Sequence, residues 1–396
     1  MTPKLIDYPE HELLISRTDK RGIILAANEA FRRVSGFAAQ DLIGAPHKLV
    51  RHTDMPRGVF WHIWDRLKND RSASGYVKNK TADGDYYWVL ANITPLEDGY
   101  FSLRVKPEPD SLTLIEPLYH EMIQREKDRR ISPELSFAAL EEQIASQGLG
   151  SYASVVSADL AKTLQKRNDT RRSATPARIA PLAEASHSWK SVGKHCQSVF
   201  EAYREFRNIP MNMQIQAGGL GDQGAALGVV ATNFATIAGQ INGDLVSFTE
   251  SVRSVSAKIC ESLLLVCLQE LLAEAVIIFG QERSATQEEL GILEKQHLIS
   301  SVAERDAIDD VLQQLQLFLN ISDGVRRRLS ALSVTRVMCS IENAQLSSGT
   351  GGSVASIIEE LCVFQERTED NLRCIQDELT SISRVLGSLE CLGVAA

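Results

Sequence analysis

The stretch Val50 to Trp64, VRHTDMPRGVFWHIW, concentrates chemistry-bearing side chains as no other part of this sequence does. It holds Arg51, Arg57, His52, His62, Asp54, Phe60, Trp61 and Trp64, in a chain whose aromatic content is only 6%. Planar aromatic faces beside a few polar groups are what a small-molecule pocket needs: rings to stack a ligand and polar atoms to orient it. The same composition also describes the rim of a small core with solvated charges. Other chemistries are not written in the chain. The sequence carries no nucleophile elbow, HExxH, kinase histidine with a glycine-box nucleotide site, GGDEF-like loop or helix-turn-helix. The glycine run from Ser347 to Ser353 lacks the GK[ST] ending of a phosphate loop. A sensor or interaction protein is therefore expected rather than an enzyme.

The elements that would position the Val50–Trp64 stretch are mixed α/β over residues 1–108. Leu14–Asp19 and Ile23–Ala26 read as strands joined at Lys20-Arg21-Gly22, and Asn28 to Phe37 as a short helix ending near Gly36. Gly75–Lys80, Tyr86–Ile93 and Tyr100–Val105 read as three further strands. Ala82-Asp83-Gly84-Asp85 marks a hairpin between the first two of these.

This order, with its residues, resembles a PAS domain, and within that fold the PAS domain of bacterial aerotaxis receptors. The likeness rests on Asn28 with Phe31, Val34-Ser35-Gly36-Phe37, RHTDMP from Arg51 to Pro56, and Phe60 with Trp64. It continues through Gly75-Tyr76-Val77-Lys78-Asn79, Gly84 to Val89, and Glu116-Pro117-Leu118-Tyr119. It covers residues 8 to about 120. One departure is Ala73, where the family usually has tryptophan. The resemblance implies a five-stranded antiparallel sheet with short helices, and bound FAD whose redox state is reported. It places Asn28, Arg51, His52, Asp54, Phe60, Trp64 and Asn79 at the pocket positions. In that role Phe60 and Trp64 would cover the rings, Arg51 would pair with phosphate, and Asn28 and Asn79 would bond heteroatoms. Related PAS domains hold haem instead. His47, His52 and His62 are the conceivable ligands there, and spacing selects none of them. A ligand-free PAS scaffold is the alternative from a different class.

The rest of the chain follows an all-α, coiled-coil pattern. Residues 109–166 form a helical connector, with Leu114, Leu118, Met122 and Ile123 on one apolar face and Leu135, Ala138, Leu140 and Ile144 on another. Residues 167–185 read as a polar linker. Over 186–280, Trp189, Val192, Cys196, Val199, Tyr203 and Phe206 step by three and four, and the pattern resumes from Leu227 to Ile259 beyond the turn Gly218 to Gly224. That is an antiparallel helical hairpin. From Asn212 it reads NMQIQAGGLGDQGAALGVVA, similar to the cytoplasmic tip of methyl-accepting chemotaxis proteins at Asn212, Ala217, Gly221, Gln223, Gly224, Val229, Val230 and Ala231. Gln216, Gly219 and Ala225 stand where that tip carries charges, so the likeness is to a degenerate tip. Residues 281–396 form a C-terminal helical bundle region. A homodimer, with chemotaxis receptor, adaptor or kinase proteins as partners, is what these resemblances imply.

Bulk properties agree. The net charge of −9 excludes a general nucleic-acid binder. Seven cysteines without a CxxC pair suit a reducing compartment. The N-terminus lacks a basic start followed by an apolar run, and a cytoplasmic location is expected. The most apolar run, Leu263 to Phe279, is short for a bilayer and contains Gln269, Glu270 and Glu274. It is expected to be a buried helix rather than a membrane span.

Overall fold

The computed structural model describes residues 3–128, 130–171, 177–281, 287–345 and 352–393. The chain divides into two units, residues 1–183 with 259–308 and residues 184–258 with 309–396.

The first unit is built on one antiparallel sheet. Its strands are β1 (Leu14–Asp19), β2 (Ile24–Ala27), β3 (Ala73–Lys80), β4 (Tyr86–Pro95) and β5 (Gly99–Val105), in the spatial order β2-β1-β5-β4-β3. Local chemistry sets the turns. Gly84 turns the β3–β4 hairpin at φ +88°, where an L side chain would be strained. Asn28 caps helix α1 (Glu29–Ser35) by accepting from the Phe31 amide, and Gly36 ends it in the left-handed region. A four-residue helix α2 (Ala39–Leu42) and a 3-10 turn (His47–Val50) lead to helix α3 (Arg57–Lys68).

Helices α4 (Pro109–Asp128), α5 (Pro133–Ser146) and α6 (Tyr152–Arg171) follow the sheet. Edge strand β3 needs partners for its outward backbone groups, and two tyrosines supply them. The Tyr119 hydroxyl donates to the Tyr76 carbonyl at 3.1 Å, and the Tyr76 amide donates to the Tyr152 hydroxyl at 3.0 Å. The Glu116 to Tyr119 segment thereby ties α4 to the sheet, since Glu116 also accepts from Trp88 Nε1 at 2.9 Å. On α5 the buried face is Phe137, Leu140 and Ile144; of the expected positions, Leu135 is 60% exposed and Ala138 is exposed as well. The register turns by this much because Phe137 stacks on His62 with ring centroids 4.1 Å apart.

The polar linker expected from residue 167 does not begin there. Helix α6 runs on to Arg171, and Arg167 is 1% exposed. Its guanidinium donates to both carboxylate oxygens of Glu274 at 2.9 and 3.1 Å, and to the carbonyls of Glu10 and Glu12. Residues 172–176, including Pro176, lie outside the described residues. Glu274 belongs to helix α9 (Ala225–Gln281), whose residues 259–281 are in this unit. Among the described residues α9 is one helix long and apolar enough, by length and composition alone, to cross a membrane. Its apolar side chains Leu263, Cys267, Leu271, Leu272 and Ala275 are fully buried here, and Glu274 is paired with Arg167 and Arg171.

The second unit is an antiparallel four-helix arrangement of α7 (Ile179–Phe206), residues 225–258 of α9, α10 (Gln287–Gln345) from residue 309, and α11 (Gly352–Gly393). A short helix α8 (Ile209–Gly219) completes the expected hairpin. Trp189 Nε1 donates to the Val252 carbonyl and Tyr203 to the Ala238 carbonyl, while Phe206 meets Phe234. These pairs close symmetrically on the turn at Leu220–Gly221, as two arms of one hairpin must. The Asp222 and Gln223 side chains and the segment Ser347–Gly351 lie outside what is described. In α10 the expected core positions Val311, Leu315 and Phe318 are buried, whereas Ile299 and Val302 are exposed.

Gly58 of α3 packs tightly against α5. A Cβ there would meet the Phe137 amide nitrogen and the Pro133 carbonyl oxygen, both at 2.9 Å. Backbone cannot yield as a side chain can, so Gly58→Ala is expected to cost about 1–3 kcal/mol of unfolding free energy in urea titration. A change below about 0.5 kcal/mol would show that α3 and α5 are not packed in this way.

Candidate functional site

Helix α3 is amphipathic in the strict sense that its two faces have two tasks. Phe60, Ile63, Trp64 and Leu67 recur at the i, i+3, i+4, i+7 spacing of one stripe and line a cavity of about 160 Å³. Strand alternation provides the facing wall. Val77 and Asn79 come from β3, Ala91 and Ile93 from β4, and Tyr100, Ser102 and Arg104 from β5. The 3-10 turn and its exit contribute His47, Lys48 and Arg51. No aspartate or glutamate is among the described lining residues, so the charged groups of this largely apolar cavity, Lys48, Arg51 and Arg104, are all basic.

The other face of α3 is held by the helices after the sheet. Pro56 precedes the helix and has no side-chain oxygen to cap it. The cap comes instead from Glu126 of α4, a largely buried carboxylate. It accepts from the Arg57 amide at 3.0 Å and the Gly58 amide at 2.9 Å, and the Ser136 hydroxyl also donates to it at 2.8 Å. A carboxylate on the first amides of a helix satisfies otherwise orphaned donors and complements the positive end of the helix dipole.

Of the expected site residues, four come together. Phe60 lies under the Arg51 guanidinium, whose Cζ is 3.7 Å from the ring centroid. Trp64 is 38% exposed at the mouth and meets Tyr100 edge to face at 5.3 Å. Asn79 is buried, pairs with Arg51 through an isolated backbone bridge, and turns its amide to the cavity. The other three are placed elsewhere. Asn28 has its oxygen on the Ile15 and Phe31 amides and its Nδ2 on the Leu13 carbonyl, as the cap of α1. His52 Nδ1 accepts from the Asp54 amide at 3.0 Å, and Asp54 pairs with Lys78 at 3.4 Å on the surface. These three order the loop and helix around the cavity and do not line it.

Residues on β5 extend the site beyond the Val50–Trp64 stretch. Arg104 is 3% exposed. Its Nη2 donates to Ser16 Oγ at 3.0 Å and lies 2.5 Å from His47 Nε2. A guanidinium only donates, so His47 Nε2 accepts and the imidazole proton sits on Nδ1. Burial, and then the charge of Arg104, push His47 down to about 3, so it is neutral at ordinary pH. Burial also draws Arg104 down, to about 10, which leaves it charged. Among the described residues Ser102 Oγ and Arg104 Nη1 are buried without a hydrogen-bond partner, and Asn79 Nδ2 bears only on the Tyr87 hydroxyl. His62 is on the other face of α3, stacked on Phe137 and pushed down to about 4 mainly by burial. The sequence signal for Arg104 was available: a basic residue in phase with Tyr100 and Ser102, on the face of the strand that turns inward.

Known proteins agree with this architecture. The PAS fold family matches residues 24–100. The chain is 40% identical over 123 residues to the aerotaxis receptor of Escherichia coli strain K12, a stretch covering 30% of this chain and 24% of that receptor. It is 33% identical over 82 residues to a nitrogen fixation regulatory protein of Klebsiella oxytoca, covering 21% of this chain and 17% of the relative. It is 29% identical over 82 residues to the biofilm dispersion protein BdlA of Pseudomonas aeruginosa, covering 20% of each. The N-terminal part of this chain is therefore a PAS domain, followed by a helical remainder. Over that domain it is similar to the aerotaxis receptor, and it spans about a quarter of that receptor's length.

A histidine held neutral in the folded state costs stability as acid protonates its unfolded counterpart. His47 is lowered from 6.5 to about 3, so stability is full above pH 6.5 and falls as the pH drops through that window. His47→Gln keeps an acceptor for Arg104 and removes the titration. Between pH 7 and 5 the wild type is expected to lose about 2 kcal/mol more than His47→Gln, read from urea melts at each pH. Parallel pH profiles would contradict the neutral, buried assignment.

Proposed function

We propose that this chain is a sensory signal-transduction protein whose PAS domain binds FAD in the cavity under α3. The observation that carries the reading is a cavity walled by aromatic and apolar side chains, whose only charged groups are basic and in which Ser102 Oγ and Arg104 Nη1 are buried with no hydrogen-bond partner among the described residues. Such atoms are costly to leave unmade, and a heteroaromatic ligand rich in acceptors would satisfy them. Similarity to the aerotaxis receptor supports a flavin over other planar ligands, and related PAS domains with haem are the alternative source of colour. The cavity is smaller than the roughly 300–1,000 Å³ of pockets that enclose whole ligands. It accordingly suits the ring portion, with basic Lys48 and Arg51 available for phosphate.

FAD, when bound, supplies reversible electron uptake and so a redox signal. The chain's own residues do the rest. Phe60, Ile63, Trp64 and Leu67 register ligand state on one face of α3. Glu126 and Phe137 hold its other face, so a shift of α3 is carried into α4, α5 and α6. We read the helical remainder as the output, acting as a homodimer on chemotaxis-type receptor, adaptor or kinase partners in the cytoplasm.

An absorption spectrum of the purified full chain, before and after dithionite and with added FAD, tests this. Flavin bands that bleach on reduction are the expected result. Trp64→Ala and Asn79→Ala are each expected to weaken FAD retention at least about tenfold, since each removes a wall or a polar contact of the ring site. A colourless protein that takes up no FAD would refute the sensing half of the proposal and leave a PAS scaffold. A Soret band would replace flavin with haem.

A further inference from the structure

Arg104 is anomalous for a core residue of a small sheet. It sits opposite Leu14 on β1 and Ala91 on β4, in the middle of the layer, and is 3% exposed. Among the described residues it makes no ion pair. Its neighbours are the neutral Ser16 hydroxyl, the neutral His47 ring, the face of Phe31, 5.0 Å from Cζ, and the hydroxyls of Tyr8 and Tyr87, which burial keeps protonated. Its Nη1 has no hydrogen-bond partner among the described residues. Burying a charge without a counter-charge is strongly unfavourable, and an apolar side chain of the same volume would fill the position without that cost. The neighbouring cavity supplies the explanation. Arg104, Ser102 and Asn79 all line it, the first two each with a polar atom lacking a partner among the described residues, and no carboxylate is in the described wall.

We propose that Arg104 is the anchoring residue of this cavity, taking an electron-rich oxygen edge of the ligand and binding a negatively charged form of it in preference to a neutral one. His47 and Ser16 are positioning residues that hold one nitrogen of the fork so that the other points to the ligand. This deepens, and rests on, the FAD reading. When a flavin ring takes up two electrons and one proton from a reductant it gains one negative charge. A buried cation beside it therefore favours the reduced form. By linkage, each tenfold preference for the reduced over the oxidised form raises the midpoint potential by about 30 mV for a two-electron couple.

The experiment compares the full chain as wild type, Arg104→Met and Arg104→Gln. Three quantities are read: FAD affinity by fluorescence, midpoint potential by dithionite titration against a reference dye, and thermal stability without FAD. Wild type is expected to bind FAD. Both variants are expected to bind it at least tenfold more weakly, with a midpoint lower by about 30 mV or more. Arg104→Met without FAD is expected to melt no lower than wild type, because the uncompensated charge is gone. Arg104→Gln keeps polar donors and carries the test if the methionine variant does not fold. Variants that bind FAD and hold its potential within twofold of the wild-type preference, while melting lower, would make Arg104 a structural residue and overturn this proposal alone. Wild-type protein that takes up no FAD would overturn the flavin reading and this proposal together.

Discussion

The Glu126 carboxylate is the constraint on which the first unit depends. Helix α3 starts after a proline and has no cap of its own, so its first amides would be orphaned at a buried end. Glu126 reaches them from α4, 69 residues along the chain for the Arg57 amide, and Ser136 of α5 completes the carboxylate's own bonding. One side chain thus joins three helices. The approach is possible because residue 58 is glycine, with neighbouring backbone at 2.9 Å from any Cβ. The helix that walls the cavity and the helices that leave the PAS domain are consequently one packed assembly. A perturbation of α3 has no soft place to be absorbed.

The sheet imposes a second constraint, and it concerns charge. Its outer edge is closed by the hydroxyls of Tyr119 and Tyr152, which satisfy β3 where another chain's strand would otherwise pair. Burial pushes the Tyr152 hydroxyl up to about 12, so it stays a neutral hydrogen-bonding group. Its inner face, by contrast, keeps Arg104 charged and leaves donors unmet. The edge of these five strands is satisfied while their interior keeps buried donors unmet among the described residues. Elsewhere in the unit Arg167 is paired with Glu274, and the buried Asp159 carboxylate accepts from the Tyr76 and Ser111 hydroxyls. The contrast makes the lone Arg104 meaningful as chemistry rather than as loose packing.

Much of this is legible in the sequence. Strand alternation and the glycine turns are local, and they place the five strands within a few residues of where they are. The resemblance of the Val50–Trp64 stretch to aerotaxis-receptor PAS domains points to Phe60 and Trp64, which the structure sets on one face of α3. What the sequence does not show is long-range. Arg167 looks like solvent-facing linker until Glu274, 107 residues away, comes to meet it. Phe137 displaced Leu135 from the core because His62 offered it a ring to stack on. Asn28, His52 and Asp54 have the right chemistry for a ligand, but nearby backbone and Lys78 claimed them first.

The sequence by itself determined the element types of the strands and the amphipathic period of the later helices, which follow from spacing, a property of neighbouring residues; its resemblance to the PAS domain of aerotaxis receptors pointed to the fold and to Phe60 and Trp64. Only the tertiary structure decided which polar groups are spoken for. Whether a side chain is a cap, an ion-pair member or a free donor depends on what a distant segment brings to it. Arg104 carries its charge in the sequence, but its lack of a counter-charge exists only once β5 is enclosed between β1, β4 and the turn bearing His47.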